Sequence, residues 1–240
     1  MDISASGILT AQGRPVWKNR VLLSLQPEAA TFLKERMIDR RFLAGDVIWR
    51  EDEPLTHVIF PHEGVLSIVD VVNGKAGLEK ASIGNEGCLG CSLAMGSDLS
   101  PGRCVALISG YASWLAGRDL EESFANFECV RAALWLHSSS LIRQLMESVV
   151  CNARHSAQQR ICRCLLRAND WVDGEPFTLT QQAMSHLLGL RRATVSEVCS
   201  QLLEMGAIHY SRASVRIIDR VKLRQHACDC HDRERATSLF

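Results

Sequence analysis

Between Arg41 and about Gly117 glycine interrupts the chain at short intervals, and from about Val130 to Arg167 there is neither glycine nor proline. A chain so divided has to build two kinds of structure. In the first stretch, Gly45-Asp46, Glu63-Gly64, Asn73-Gly74, Gly84-Asn85, Gly87, Gly90, Gly96, Gly102 and Gly110 separate short runs rich in β-branched residues. Short strands at even spacing predict an antiparallel sandwich or barrel. Val65, Ser67, Val69 and Val71 partly alternate with Leu66, Ile68, Asp70 and Val72, and Asn73-Gly74 offers the positive φ angles of a tight hairpin turn. An opening helix is expected from about Pro27 to Met37.

The stretch without glycine reads as helix. Leu134, Leu141, Leu145 and Val149 recur at helical spacing, flanked by Ile142 and Met146. This stripe is wide enough to face both its own sheet and a second copy of the chain, so these four residues are the expected dimer interface. Asn152 to His155 allow a break before a second amphipathic helix with Ile161, Leu165 and Leu166, ending near Asp173-Gly174-Glu175-Pro176.

Thr178 to Gly206 has the layout of a helix-turn-helix. The Thr180 hydroxyl can cap a short first helix, Ala183 is small where a second helix crosses closely, and Gly189 supplies the turn. In the second helix Val195, Val198, Cys199, Leu202 and Leu203 follow a helical stripe and are expected inside. Arg191, Arg192, Ser196, Glu197 and Ser200 are then left outside, where they offer donors for guanine edges, an acceptor for a cytosine amine and ligands for phosphate. Ile208 to Tyr210 and Val215 to Ile218 predict a wing around Arg212 to Ser214. With Thr180 and Thr194, Arg212 completes the expected DNA-binding set.

Charge supports the same division. The 240 residues carry 27 Lys/Arg and 27 Asp/Glu, so the whole chain points to no charged partner, yet residues 154–240 hold 13 Lys/Arg against 9 Asp/Glu. A basic C-terminal third follows an acidic body. No basic segment with an apolar core opens the sequence, and no run reaches the roughly 20 apolar residues of a membrane helix. The expectation is a cytoplasmic protein with no membrane partner, whose ten cysteines are reduced thiols.

These features together resemble the Crp/Fnr superfamily of bacterial transcription regulators, from about Arg20 to Ile218. The residues that carry the resemblance are His57-Val-Ile-Phe-Pro-His-Glu-Gly-Val-Leu-Ser67, Ile83-Gly-Asn-Glu-Gly-Cys-Leu-Gly90, and Gly189 to Val195. The resemblance implies an α+β chain with four parts. Residues 1–120 would be an antiparallel β-roll of the jelly-roll kind that modulates DNA affinity, 121–153 a long dimerisation helix, 154–225 a winged helix-turn-helix, and 226–240 a tail. It implies a homodimer on palindromic double-stranded DNA, RNA polymerase as a further partner, and no catalysis. Arg192 and Thr194 match the family's DNA reader, whereas Ala193 and Glu197 replace its Glu and second Arg.

The family's cyclic-nucleotide pocket corresponds to Gly90-Cys91-Ser92 and Arg103-Cys104, where the Arg is kept and the ribose-binding Glu is not. Cyclic AMP and cyclic GMP are therefore not expected as effectors, and the effector is left open. Candidate metal or redox groups are Cys88 and Cys91, at CxxC spacing, and His226, Cys228, Cys230 and His231 in the tail. Two ligands make an incomplete site, so core packing or idle thiols are the expectation and no metal is assigned. Cys151, Cys162, Cys164 and Cys199 read as small buried helix residues, and His57, His62, His137, His155, His186 and His209 as surface or half-buried side chains. A rival class, a thiol- or metal-based sensor or enzyme, would be built on the same cysteine and histidine sets. It lacks a phosphate loop, a Gly-x-Ser-x-Gly elbow and a His-Glu-x-x-His pair, and Cys88 and Cys91 are expected away from any helix N-terminus. A third class is a sensor acting only through protein partners.

Overall fold

A computed structural model describes residues 17–51, 53–72, 75–211 and 214–237. Two compact units are present. The described residues up to Ser67 and those of Ser82–Ser139 form one, and Ile68–Ala81 with the residues from Ser140 onward form the other.

The first unit opens with two helices, α1 (Arg20–Leu23) and α2 (Pro27–Arg36), and then enters the strands β1 (Ile38–Phe42), β2 (Val47–Trp49), β3 (His57–Val72) and β4 (Lys75–Ile83). A short 3-10 turn, Cys91–Met95, leads to β5 (Arg103–Ala116), which is followed by α3 (Gly117–Asn126) and α4 (Glu128–Arg154). The strands form one sheet in the order β1-β5-β3-β4, with β2 also on β5; the expected short strands are in part long ones, since Gly64 and Gly110 lie inside β3 and β5 and do not separate strands. Asn73-Gly74 lie outside the described residues, although the strands on either side of them are neighbours in the sheet. Strand β5 carries β1 in antiparallel register from Ile38 opposite Trp114 to Phe42 opposite Gly110. Gly110 is required where β5 passes β3, because a Cβ there would lie 1.9 Å from the Glu63 carbonyl oxygen.

Val21, Leu22, Ala29, Leu33, Val58, Phe60, Leu115, Leu120, Val130, Ala133 and Leu134 form one core cluster. Leu134 is therefore not part of an outward seam, as the sequence suggested. Val130, Ala133, Leu134 and His137 share the inward face of the first turns of α4, all of them buried. The outward face instead carries Trp135, Ile142, Met146 and Val149, each more than half exposed, with Leu145 and Val150 beside them; Leu141 is half-buried.

Helix α4 begins at Glu128 rather than near residue 121, since the chain breaks at Phe127. Arg131 closes that break by donating to the Phe124 and Ala125 carbonyls at 2.7 and 3.0 Å. The compact units part between Ser139 and Ser140, inside α4. The reason is local: the second half of α4 supplies Glu147 to Arg233 at 3.1 Å, Ser148 to Arg163 at 3.3 Å and Cys151 to Cys228 at 3.6 Å.

The second unit continues with α5 (Ala157–Trp171), β6 (Phe177–Thr178), α6 (Gln181–Leu188), α7 (Arg192–Glu204), β7 (Ile208–Ser211), β8 (Ser214–Ile217), α8 (Arg220–Gln225) and α9 (Cys230–Thr237). Ser156 and Gln159 close a capping box on α5, which turns Ile161, Cys162, Leu165 and Leu166 inward. A three-stranded antiparallel sheet in the order β6-β8-β7 completes the winged helix. Among the described residues no helix is long and apolar enough to cross a membrane.

His62 is fully buried, not a surface histidine. Its Nδ1 accepts the backbone N–H groups of Lys18 and Asn19 at 3.0 and 3.1 Å. The ring proton is thereby fixed on Nε2, which donates to Ser113 Oγ at 2.6 Å, and Ser113 donates to Asp39 at 2.5 Å. Burial lowers the imidazole pKa from 6.5 to about 4. Because the unfolded chain takes up this proton first, the stabilisation is complete above about pH 6.5 and is lost as pH falls toward about 4, by ~3 kcal/mol in all. Urea titrations across this range are expected to show that loss, and His62→Gln is expected to flatten it.

Candidate nucleic-acid interface and effector loop

The helix-turn-helix is formed by α6 and α7. Thr180 Oγ1 accepts the Ala183 N–H at 3.0 Å and so caps α6. The helix ends at Gly189, whose φ of 59° lies in the left-handed region. Arg160 donates to the Leu188 carbonyl and so satisfies the same helix end. Helix α7 then starts at Arg192, with Arg191 as its flanking cap.

Val195, Val198, Cys199 and Leu202 turn inward. Leu203 was expected with them but is 45% exposed, because eight residues along a helix carry a side chain well away from the direction of Val195. Arg191, Arg192, Glu197 and Ser200 are exposed, and Thr194 and Ser196 half-buried. Ser200 donates back to the Ser196 carbonyl at 3.0 Å, and neither arginine has an ion pair among the described residues. Strands β7 and β8 pair from Ile208 opposite Ile217 to Ser211 opposite Ser214, and the Tyr210 hydroxyl donates to the Leu179 carbonyl at 3.1 Å, tying the wing to the start of the motif. Arg212, expected in the wing, lies outside the described residues.

In the first unit, Gly90 holds a left-handed φ of 79° and leads into the 3-10 turn that Cys91 begins. Cys91 therefore does open a short helical turn, contrary to the sequence expectation. Its thiol is pulled down to about 4, chiefly by a hydrogen bond from Cys88, with His137 and Ser138 adding to it. The same bond, with burial second, pushes Cys88 up. His137 is 4% exposed, and its Nε2 lies 2.8 Å from the Cys88 carbonyl; the histidine was not singled out by its spacing. One sign was present in Gly87, since a Cβ there would meet the His137 ring at 2.4 Å.

Ser92 and Arg103 are half-buried, and Cys104 is fully buried beside β2, with Val47 opposite Val105 and Trp49 opposite Cys104. Cys104 therefore faces the core and not a ligand. Cys162 and Cys199 are buried as expected, with burial pushing their thiols up to about 12 and about 11. Cys164 is half-buried.

Of the tail residues, Cys228 and Cys230 come together, and they do so with Cys151 and His155. Cys151 is thus more than a small core residue. His226 and His231 stand apart: His226 Nδ1 lies 3.4 Å from Gln158, and His231 binds Asp170 at 2.8 Å.

Fold and site define a winged helix-turn-helix that follows an antiparallel β-roll and a long helix. Residues 159–226 match the Crp-like helix-turn-helix domain family. No curated protein matches the sequence. Among solved structures, FixK2 from Bradyrhizobium japonicum is similar at 18% identity and a TM-score of 0.64, covering 80% of this chain and 98% of its own. The c-di-GMP-responsive global regulator CLP of Xanthomonas campestris is similar at 16% identity and a TM-score of 0.65, covering 80% and 99%. A CRP-family transcriptional regulator of Thermus thermophilus is similar at 17% and 0.65, covering 78% and 96%. The chain accordingly has the fold of the Crp/Fnr-type transcriptional regulators and carries a Crp-like helix-turn-helix domain.

A thiol held down to about 4 is ionised throughout the neutral range, whereas an ordinary thiol loses reactivity about tenfold for each pH unit below its pKa. Iodoacetamide is expected to label Cys91 nearly as fast at pH 6 as at pH 8 and to leave Cys88 untouched. Peptide mapping by mass spectrometry reads both rates; a Cys91 rate that climbs tenfold per unit through pH 8 would contradict the assignment.

Proposed function

We propose that the protein is a cytoplasmic homodimeric transcription regulator that binds a palindromic DNA site through α7 and the wing, with the β-roll modulating affinity and RNA polymerase as a further partner. It acts by binding and not by catalysis. The observation that carries this reading is the exposed start of α7, where Arg191 and Arg192 have no ion pair among the described residues and stand at a helix N-terminus, after the turn at Gly189. Helix N-termini favour phosphate, and a guanidinium can bind guanine O6 and N7 at once.

Dimerisation is supported by the outward face of α4, on which Trp135, Ile142, Met146 and Val149 are 59%, 56%, 66% and 69% exposed. Their spacing of seven, four and three residues is that of a helix seam. A second copy of the same helix presents the same stripe and so satisfies both faces by two-fold symmetry. This revised set replaces Leu134 and keeps Leu145 and Val149, with Leu141 at its edge. The effector stays open: Cys91 stands where the family's ribose-binding carboxylate would be, and it offers a cyclic nucleotide no carboxylate.

Two experiments test the reading. In competition binding at several salt concentrations, Arg192→Ala is expected to weaken the specific site by ~1–3 kcal/mol and relax selectivity at one position per half-site. An equal loss on scrambled DNA would remove the base-reading role. In light scattering the wild type is expected to be a dimer and Ile142→Asp a monomer or an aggregate; a monomeric wild type at micromolar concentration would refute the seam.

A further inference from the structure

Cys151 lies in the last turn of α4, His155 follows in the bend before α5, Cys228 lies just ahead of α9 and Cys230 begins it. Their three sulfurs and one ring nitrogen all fall within 4.8 Å of one another. We propose that these four side chains form a tetrahedral zinc site that fastens the C-terminal tail to the corner between α4 and α5.

The distances fit such a site. Zinc–sulfur bonds of about 2.3 Å and zinc–nitrogen bonds of about 2.0 Å place tetrahedral ligands about 3.8 Å apart for two sulfurs and about 3.5 Å for sulfur and nitrogen. Cys151 Sγ and Cys228 Sγ are 3.6 Å apart, and Cys230 Sγ and His155 Nδ1 are 3.5 Å apart. The opposed edges of the tetrahedron are thus already near their final lengths. A disulfide, at about 2.05 Å, would use two of the sulfurs and leave the third thiol and the imidazole without a role.

Ordinary packing explains the cluster less well. The three cysteines are 1%, 5% and 0% exposed and form a buried cluster of their own, with no aliphatic member. Three thiolates and one imidazole around a divalent ion leave one negative charge, and the surroundings supply the opposite sign. Arg233 donates to Cys230 Sγ at 3.3 Å, and the positive charge of Arg163 lies near Cys151. His155 directs Nδ1 at the cluster while its Nε2 faces the Asp229 carboxylate at 3.9 Å, the arrangement by which a carboxylate orients a metal-bound histidine. Soft sulfur donors with one imidazole in a closed tetrahedral set select zinc over harder cations. The spacing C-x3-H followed by C-x-C is split by the whole winged helix, so sequence proximity alone could not show it.

The test uses the full-length protein, purified reduced and dialysed against zinc(II), with metal measured by plasma mass spectrometry. One zinc per chain is expected, and loading with cobalt(II) instead should give the intense visible bands of a tetrahedral ion with thiolate charge transfer. Cys228→Ser should abolish both, while Cys88→Ser, at the other cysteine pair, should retain both. Because Cys228→Ser could also impair folding, a chelator titration of the wild type provides a second readout: metal removal should lower Tm and open Cys151, Cys228 and Cys230 together to alkylation. Reduced wild type that takes up no zinc, zinc uptake unchanged in Cys228→Ser, an iron chromophore, or a Cys151–Cys228 disulfide in the anaerobically prepared protein would each overturn the proposal.

Discussion

Helix α4 carries apolar side chains around more of its circumference than its own chain covers, and much of the architecture follows from how that surface is divided. Its first turns spend one face on the core that α1, α2, α3 and the strands β3 and β5 build, through Val130, Ala133 and Leu134. Burying three such side chains contributes several kcal/mol and fixes the rotation of the helix. Once that rotation is set, Trp135, Ile142, Met146 and Val149 have to point outward. Five or six large apolar side chains along one helix form a continuous patch of the kind that soluble chains rarely leave uncovered.

Much of this was legible in the sequence, and the failures have definite physical causes. The glycine-rich stretch marked the sheet region and the absence of glycine marked the helices, because these signals are local, but Gly64 and Gly110 fall inside β3 and β5 and so misplaced the strand ends. The stripe on α4 was read one position out of phase at its start: Leu134 and Trp135 are both large and apolar, and only the tertiary partners decide which of two adjacent residues turns inward. Leu203 shows the same ambiguity at the far end of a stripe. His62 and His137 look like ordinary scattered histidines in sequence, since their partners are backbone groups and thiols 40 or more residues away. Cys151 and His155 were likewise separated from Cys228 and Cys230 by the entire winged helix, so half of that cluster was visible as a local motif and half was not.

The C-terminal unit also holds a polar interior that composition conceals. Arg163, with its side chain 8% exposed, pairs with Glu234, whose carboxylate also lies 3.8 Å from Arg167. Asp170 accepts from Arg220 at 2.6 Å and lies 2.8 Å from His231. These pairs run from α5 to α8 and α9. For the buried Arg163–Glu234 pair, which adds little over an apolar contact of the same size, removing one partner strands the other and costs about 3–5 kcal/mol; the Asp170–Arg220 pair, a third exposed, is worth much less. The network therefore specifies the position of the tail more than it stabilises the unit.

The same network changes the meaning of the basic C-terminal third. Arg163, Arg167, Arg220, Arg224 and Arg233 all have carboxylate partners, and Arg160 is engaged by the Leu188 carbonyl. Their charge is largely neutralised within the unit and contributes little to attraction at a distance. Arg191 and Arg192 at the start of α7, and Arg216 on β8, are exposed and form no ion pair among the described residues. With Arg154 and Arg235, which are also exposed and without an ion pair among the described residues, they carry the uncompensated positive charge of the C-terminal third, and at α7 the helix N-terminus adds its own partial charge. A chain with a formal net charge of +0 can bind a polyanion under these conditions, because the phosphates meet a few uncompensated arginines and not the average. On the proposed reading, each phosphate neutralised there would release condensed counterions, so affinity would fall with salt in proportion to those few contacts and not to the 13 basic residues of the segment.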